Sequence, residues 1–268
     1  TTKPERQMSI LDEIISNKKK EVELRKKLFP PTYWEKSPLF GRKTFSLVNK
    51  LRNSSSGIIA EHKRRSPSRS NINISLSVSE VARGYEAAGV CGMSILTDLK
   101  YFGGSLEDLN AARSVSEFPL LRKEFVIDTY QVIEAKANGA DVILLIAAVL
   151  NRNEIKLLSE TAKSFDLEVL LEVHNESELE KSIMPSLDML GVNNRDLKTF
   201  EVNLEKSREL ASKIPDDFVK ISESGISNVE SIRDLKTFGF QGFLIGESFM
   251  RSADPGDSAL NFIKKLNS

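Results

Sequence analysis

Residues 57–63 read Gly-Ile-Ile-Ala-Glu-His-Lys, an apolar run that ends in charged side chains. Because side chains along a β-strand alternate between its two faces, Glu61 and Lys63 should share one face and His62 should lie on the other. Two opposite charges on the inner face of a buried strand are costly to desolvate and add little to packing. The segment therefore predicts a reactive site at the carboxyl end of a strand, with His62 packed on the far side.

The same arrangement recurs along the chain. Four further apolar runs end in polar groups: Leu-Arg-Lys-Glu-Phe (121–125), Leu-Leu-Glu-Val-His (170–174), Gly-Val-Asn-Asn-Arg (191–195) and Ile-Ser-Glu-Ser-Gly (221–225). Strand alternation places Lys123 with Leu121 and Phe125, Glu172 with Leu170 and His174, and Asn193 with Gly191 and Arg195. Lysines and glutamates on one small rim shift each other's pKa values and can separate into acid and base roles. The alternative for any single residue is a structural ion pair.

Strands and helices alternate from residue 57 to the end of the chain. Strand-like runs lie near 57–63, 92–97, 119–125, 141–149, 168–173, 189–194, 218–223 and 242–246, and helical segments lie near 79–89, 105–115, 128–138, 153–165, 176–183, 204–213, 228–238 and 256–266. Near-continuous runs of Ile, Leu and Val are typical of parallel strands buried on both faces. Eight such units predict an α/β fold, the (β/α)8 TIM barrel, with its active site at the carboxyl ends of the strands. An open doubly wound sheet is the alternative, but no Gly-x-Gly-x-x-Gly motif follows the first strand.

A single barrel domain over residues 1–268, with residues 1–56 as an N-terminal helical extension, is the predicted organisation. Ser9 and Asp12 have the spacing of a capping box, and isoleucine and leucine follow at helical intervals. This pattern predicts a helix over 8–28.

The composition is that of a soluble globular protein, with 40% hydrophobic and 28% charged residues. Lys+Arg and Asp+Glu both number 38, which argues against a nucleic-acid surface spread over the chain. No apolar stretch reaches membrane-spanning length, and the amino terminus lacks the pattern of a signal peptide. One cysteine, Cys91, allows no internal disulfide and indicates a reducing compartment. We therefore expect a cytoplasmic protein in which Cys91 is a small buried residue.

Glycines follow the last two strands, in Ser224-Gly225 and in Gly246-Glu247-Ser248. Loops after strands seven and eight commonly bind phosphate in such barrels, because backbone N–H groups next to glycine can approach the oxygens closely. Either glycine alone could simply mark a turn. The pair predicts a phosphate site.

The longest connection inside the barrel follows the first strand and runs over residues 64–79. Long loops at a catalytic face are often lids. At least two of its arginines, Arg64, Arg65 and Arg69, are expected to be solvated, whereas Ser66 is a better candidate for a phosphate contact. The two histidines lack partners at metal-binding spacing, so no metal is predicted.

Taken in order, the segments resemble the indole-3-glycerol phosphate synthase family. The matching stretches cover residues 58–68, 94–105, 121–131, 139–146, 171–174, 191–200, 222–226 and 244–250. The most specific is Glu-His-Lys-Arg-Arg-Ser-Pro-Ser (61–68), which follows the family pattern Glu-x-Lys-x-x-Ser-Pro-Ser. The resemblance extends over residues 8 to about 255 and includes the helix that the family places before its barrel.

The resemblance implies a cofactor-free ring closure of 1-(2-carboxyphenylamino)-1-deoxyribulose 5-phosphate, with loss of carbon dioxide and water. Lys123 would be the general acid and Glu172 the acid/base of dehydration, while Lys63 would hold the substrate carboxylate and Glu61 would orient the lysines. The remaining assignments are Asn193 and Ser224 to the sugar or reacting region, Arg195 and Glu223 to supporting roles, Ser66, Gly225, Gly246 and Glu247 to phosphate, and Phe102, Phe125, Leu144 and Leu197 to the aromatic ring. A small phosphorylated substrate and a monomeric enzyme are expected, with no nucleic-acid or membrane partner.

Three positions depart from the family pattern: His62, Glu124 and the pair Arg69-Ser70. The last of these concerns the lid loop and not the chemistry. The nearest alternative is another phosphate-binding barrel, such as an isomerase of the phosphoribosyl-anthranilate kind, which ordinarily lacks the helix at 8–28 and the Glu61/Lys63 pair. A catalytically silent barrel is the alternative of a different class, and it predicts loss of the strand-end residues.

Overall fold

The computed structural model describes residues 8–268, and its centre is a closed barrel of eight parallel strands in sequential order. The strands are β1 (Ile58–His62), β2 (Gly92–Leu96), β3 (Leu120–Lys123), β4 (Val142–Ile146), β5 (Glu168–Val173), β6 (Met189–Asn193), β7 (Val219–Glu223) and β8 (Phe240–Ile245). β8 pairs with β1 and closes the sheet. The TIM-barrel prediction is confirmed, and each predicted strand is present.

Thirteen helices occur within the described residues 8–268. They are α1 (Ile10–Leu28), α2 (Pro31–Trp34), α3 (Leu47–Arg52), α4 (Val78–Ala88), α5 (Leu99–Phe102), α6 (Leu106–Val115), α7 (Thr129–Ala137), α8 (Arg152–Ser164), α9 (Glu176–Ser182), α10 (Glu205–Ala211), α11 (Val229–Thr237), α12 (Glu247–Met250) and α13 (Pro255–Asn267). Most begin with a side-chain cap, because Ser, Asn or Asp precedes the first turn and satisfies its free N–H groups. The nine predicted helices, α1 and the eight that alternate with the strands, are confirmed, and the short helices α2, α3, α5 and α12 were not predicted.

The core has two layers, as the alternation of strand side chains requires. One layer fills the barrel interior with aliphatic side chains such as Leu121, Leu170 and Ile221. The other lies between the sheet and the surrounding helices. Leu47 and Leu51 of α3 join the interior layer, so this short helix closes the amino-terminal end of the barrel. Buried Cys91 also packs there, as expected for a small filler.

The predicted capping box of α1 is present, with Ser9 and Asp12 each bonded to the other's backbone N–H. The helix crosses the carboxyl end of the barrel and is fixed there by ionic contacts. Lys18, only 1% exposed, pairs with Asp98 at 2.8 Å and with Glu124 at 3.1 Å. In residues 8–268, no helix is long and apolar enough to cross a bilayer.

Candidate active site

A cavity of about 520 Å³ opens at the carboxyl ends of the strands. With the exception of Glu223, every site residue predicted from the sequence lines it: Glu61, Lys63, Ser66, Phe102, Lys123, Phe125, Leu144, Glu172, Asn193, Arg195, Leu197, Ser224, Gly225, Gly246 and Glu247. Glu223 lies immediately behind the cavity wall, where its carboxylate contacts Lys123. The fold thus brings together side chains that are spread over 187 positions of the chain, although their catalytic roles stay predictions.

Lys123 lies at the centre of the charged cluster. Its Nζ is 3.5 Å from Glu61 Oε2 and 3.4 Å from Glu223 Oε2, and Lys63 Nζ is 3.3 Å from the other oxygen of Glu61. Burial disfavours the ammonium form of Lys123, but the neighbouring carboxylates outweigh burial and raise its pKa. Burial likewise opposes the charge of Glu61, yet the two lysines hold its pKa below the usual value. The cluster therefore presents a charged lysine to the cavity, braced by a carboxylate.

Glu172 and Glu223 form a buried carboxyl pair across β5 and β7. Burial and the negative charge of Glu172 raise the pKa of Glu223 well above its ordinary value. Burial opposes the charge of Glu172 too, but Lys123 and His174 lower its pKa. Two adjacent carboxyls cannot both ionise at low cost, so they share one proton, which resides on Glu223. Glu172 is left ionised and faces the cavity.

Two residues of β6, Gly191 and Asn193, support this pairing. A Cβ atom on Gly191 would lie 2.3 Å from Glu223 Oε1, so a larger residue there would force that carboxyl group to shift. Two residues further on, Asn193 donates its side-chain N–H to Glu172 Oε1 at 3.1 Å. Gly191 thus leaves space for Glu223, and Asn193 orients Glu172.

The glycine-rich side of the cavity is formed by the ends of β7 and β8. Ser224 and Gly225 both have positive φ angles, 70° and 78°, and a Cβ on Gly225 would lie 2.1 Å from a methyl group of Val202. Holding a serine in this conformation costs about 1–3 kcal/mol, and such strain clusters at functional sites. Gly246 lies close to Glu61 in the same way, since its added Cβ would be 3.0 Å from Glu61 Cβ.

The arginines that follow β1 are more constrained than the sequence predicted. Arg64 forms a two-pronged ion pair with Asp108 of α6, with one N–O distance of 2.9 Å. Arg65 donates to two backbone carbonyls of α5. Both are half-buried, so the expectation that at least two of the three are solvated is wrong. Only Arg69 is exposed, and it pairs with Glu247 at 2.9 Å, which ties the loop to the end of β8.

The opposite side of the cavity is apolar. The rings of Phe102 and Phe125 lie 6.1 Å apart at an interplanar angle of 39°, and both line the cavity with Leu144 and Leu197. Helix α1 contributes three further aliphatic side chains: Ile10, Leu11 and Ile14. Their helical stripe was visible in the sequence, but periodicity alone does not reveal which surface a helix covers.

The two histidines have different environments. His62 is buried on the side away from the cavity, as predicted; burial and then the charge of Arg64 lower its pKa to about 4. His174, for which no role was predicted, lies behind Glu172. The available signal in the sequence was that His174 lies two residues after Glu172 and therefore on the same face of the strand. Among residues 8–268, no group of three or more His, Cys, Asp or Glu side chains is arranged to hold a metal ion.

This geometry is suited to acid–base chemistry on a planar, anionic molecule. Lys123 can donate a proton, Glu172 can accept one, and the apolar slot can hold an aromatic ring. The glycine-rich end, with Arg195, Arg251 and Arg69 among the residues that line the cavity, suits a phosphate group.

Comparison with solved structures agrees on the architecture. 3-Hexulose-6-phosphate synthase from Salmonella typhimurium aligns with a TM-score of 0.62 at 14% identity, over 79% of this chain and 98% of that chain. KGPDC from Streptococcus mutans aligns with a TM-score of 0.60 at 12% identity, over 78% and 96%. At these identities the likeness concerns the fold alone.

Sequence comparison is more specific. The family model described as indole-3-glycerol phosphate synthase matches residues 11–262. The indole-3-glycerol phosphate synthase of Bacteroides thetaiotaomicron is 46% identical over 257 residues, which cover 96% of this chain and 98% of the relative. The enzyme of the same name from Dechloromonas aromatica is 40% identical over 251 residues, covering 92% and 96%. With the family match spanning nearly the whole barrel, and with this strand-end geometry, the chain belongs to the indole-3-glycerol phosphate synthase family.

Proposed function

We propose that this chain closes the indole ring of indole-3-glycerol phosphate in tryptophan biosynthesis, starting from 1-(2-carboxyphenylamino)-1-deoxyribulose 5-phosphate. The observation that carries the proposal is the position of Lys123, whose charged Nζ lies between Glu61 and Glu223 at the wall of the cavity. An apolar slot lies on one side of it and a glycine-rich pocket on the other. The substrate has matching parts, an aromatic ring at one end and a phosphate at the other.

In the first step, the ring carbon that bears the carboxylate attacks the ketone carbon. Lys123 donates a proton to the ketone oxygen, which becomes a hydroxyl group as the new carbon–carbon bond forms. The carboxylate then leaves as carbon dioxide, and the electron pair of the broken bond restores the aromatic ring. A positioned general acid of this kind typically contributes a factor of about 10²–10⁴ to the rate.

In the second step, Glu172 takes a proton from the neighbouring CH₂ group and passes a proton to the new hydroxyl, which leaves as water as the indole double bond forms. Glu172 is the base in this proposal, because it is ionised and is oriented by Asn193. Its partner Glu223 carries a proton and prevents a second negative charge from building up beside it.

The binding roles follow the two ends of the cavity. Lys63 pairs with the substrate carboxylate before it leaves, while Glu61 holds both lysines. Ser66 and the backbone N–H groups at Gly225, Gly246 and Glu247 bind phosphate, and Arg195 supports that side. Asn193 and Ser224 contact the sugar hydroxyls. The aromatic ring packs among Phe102, Phe125, Leu144 and Leu197.

The proposal includes a monomeric cytoplasmic enzyme acting as one catalytic domain, with no nucleic-acid partner. The single cysteine, Cys91, is buried and free, which is compatible with a reducing compartment. Light scattering after size-exclusion chromatography tests the oligomeric state, since a mass near 30.0 kDa is expected. A mass near twice that value contradicts the monomer.

The decisive experiment is a fluorescence assay for indole formation from the carboxyphenylamino-ribulose phosphate, with no cofactor added. The wild type should turn over, and Lys123→Ala should lose a factor of about 10²–10⁴ in kcat. Lys220→Ala is the matched control, because Lys220 is also buried but lies at the amino-terminal end of β7. Circular dichroism of both variants checks the fold. Normal turnover by Lys123→Ala would refute the acid role, and an inactive wild type would refute the function.

Glu172→Gln separates the two chemical steps. The glutamine keeps the size of the side chain and its contact with Asn193 but cannot accept a proton. We expect substrate affinity to change little and carbon dioxide release to outpace indole formation in a single turnover. Equal, undiminished rates of both products would contradict the assignment of Glu172.

A further inference from the structure

His174 lies between two glutamates at the end of β5. Its Nε2 is 3.5 Å from Glu172 Oε1, and its Nδ1 is 3.3 Å from Glu178 Oε2 of α9. Glu178 Oε2 also accepts the backbone N–H of His174 at 2.7 Å, which fixes the ring relative to the helix. His174 is 9% exposed and Glu172 is 4% exposed, so water does little to screen this row of groups.

The geometry restricts where protons can lie. A neutral imidazole has one N–H donor and one lone pair. If Nδ1 donates to Glu178, then Nε2 of a neutral ring would point its lone pair at a carboxylate oxygen. Nε2 forms no hydrogen bond within the described residues, and its 3.5 Å contact with Glu172 Oε1 is an ion-pair contact. An imidazolium ion removes this conflict, because it donates from Nδ1 to Glu178 and places positive charge beside Glu172.

We propose that His174 is a positioning residue, protonated in the resting enzyme, that keeps Glu172 ionised and ready to accept a proton during dehydration. Glu178 is its anchor. The inference rests on the proposed function, in which Glu172 acts as the base. His174 does not touch the reacting atoms, and it keeps its own proton through the cycle.

The charges on neighbouring elements support this arrangement. Glu172 is faced by Lys123 from β3, by the protonated Glu223 from β7 and by the Asn193 amide from β6. Apart from its two glutamates, His174 is faced by Lys206 of α10, whose charge opposes protonation.

Burial and Lys206 lower the pKa of His174, but its contacts with Glu178 and Glu172 outweigh them and raise it. The imidazolium charge in turn favours the ionised form of Glu172. The shared proton of the carboxyl pair is thereby held on Glu223, on the side away from His174.

The chain contains only two histidines, which permits a direct test. Nitrogen-15 NMR of the imidazole side chains, on untagged enzyme, should show two sets of signals, and a His62→Gln variant assigns them. At pH 7 we expect both ring nitrogens of His174 to carry protons, whereas His62 should be neutral. In Glu172→Gln and in Glu178→Gln, the pKa of His174 should fall, because each substitution removes one of the two carboxylates that raise it. A neutral His174 at pH 7, or a titration that ignores both substitutions, overturns the inference.

Kinetics supply a second readout that a purely structural role would not produce. In His174→Gln the pKa of Glu172 should rise, and a rise of about one unit leaves about a tenth as much ionised Glu172 at lower pH. We therefore expect the acidic limb of the kcat profile to move to higher pH. The loss of kcat should be about tenfold at pH values below the acidic limb and should disappear at pH values above it.

His62→Gln is the matched control and should keep the wild-type profile, because His62 is buried away from the cavity. A uniform loss of kcat at every pH in His174→Gln would overturn the inference while leaving the proposed function intact. An inactive wild type whose His174 signals still respond to Glu172→Gln would instead refute the function and leave the His174–Glu172 contact standing.

Discussion

Replacing Lys18 by methionine would test how helix α1 is held on the barrel. Lys18 is 1% exposed, and its Nζ lies 2.8 Å from Asp98, 2.9 Å from Glu21 and 3.1 Å from Glu124. Methionine fills similar space but removes the charge. Two buried carboxylates, those of Asp98 and Glu124, would then lose their shared cation.

The expected cost follows from these distances. At an effective dielectric constant of about 20, each contact near 3 Å corresponds to about 5–6 kcal/mol of attraction, most of which is offset by desolvation. Removing one partner of a buried ion pair typically costs about 3–5 kcal/mol. For a chain of this size, that loss corresponds to a fall in Tm on the order of 10 °C.

The pH dependence has a definite sign. Burial raises the pKa of Glu124, but Lys18 and Arg122 outweigh burial and hold it below the usual value. A carboxylate with a lowered pKa stabilises the fold above its unfolded pKa, and that contribution is lost as the pH falls through its folded pKa. The difference in the free energy of unfolding between wild type and Lys18→Met should therefore reach its full value near pH 7 and should shrink below about pH 4.

Urea unfolding followed by two signals measures the effect. Circular dichroism reports on the whole chain. The fluorescence of Trp34, which is the only tryptophan, reports on the segment just after α1, because Trp34 Nε1 donates to Tyr130 OH of α7 at 2.9 Å. Lys20→Met is the matched control, since Lys20 is exposed on the same helix. A Lys18→Met variant within about 1 kcal/mol of that control would refute the reasoning.

Three further predictions concern other parts of the barrel. Gly191→Ala should lower kcat about tenfold or more in the indole assay, because the added Cβ displaces Glu223; unchanged kcat would show that this carboxyl can move freely. Asp141→Asn should lower the free energy of unfolding in urea by about 3–5 kcal/mol, because the fully buried carboxylate of Asp141 accepts from two arginines and two backbone N–H groups. Asp217→Asn is the control, since Asp217 is exposed, and equal stabilities of the two variants would contradict the expectation. The free energy of unfolding should fall on the order of 3 kcal/mol as the pH is lowered from about 6.5 to about 4, because charging buried His62 opposes the fold. His62→Gln should flatten that part of the stability–pH curve, and an unchanged slope in this variant would contradict the prediction.

Local rules predicted much of the fold from the sequence. The eight strands are apolar runs bounded by polar residues, and the eight helices that alternate with them have regular apolar spacing. Each of these patterns can be recognised within a short segment of the sequence, without knowledge of distant contacts. Strand alternation also placed Glu61, Lys123 and Glu172 on the inner face, since the side-chain period of a strand is two. The end of the barrel that carries the site then follows from parallel topology.

Contacts between distant segments were not predictable in this way. Lys18 belongs to a run of three lysines, and its spacing of four from Ile14 and Val22 places it on the buried stripe of α1. Its buried partners Asp98 and Glu124 lie 80 and 106 positions away, so the ion pairs were not visible locally. The ion pair of Arg64 was missed because its partner Asp108 lies on helix α6, 44 positions away. The short helices α3 and α5 were missed because four to six residues are too few to show a period.

The charge balance at the carboxyl end of the barrel links these observations. Lys63 and Lys123 face three carboxyl groups, those of Glu61, Glu172 and Glu223. With all three ionised, the buried cluster would carry excess negative charge and would repel an anionic substrate. One proton on Glu223 removes that excess, and the neighbouring His174 favours this placement because it stabilises charge on Glu172 instead. The cluster is then neutral before substrate binds. In the proposed reaction, this leaves Lys63 and Lys123 able to attract the incoming carboxylate and Glu172 available as a base.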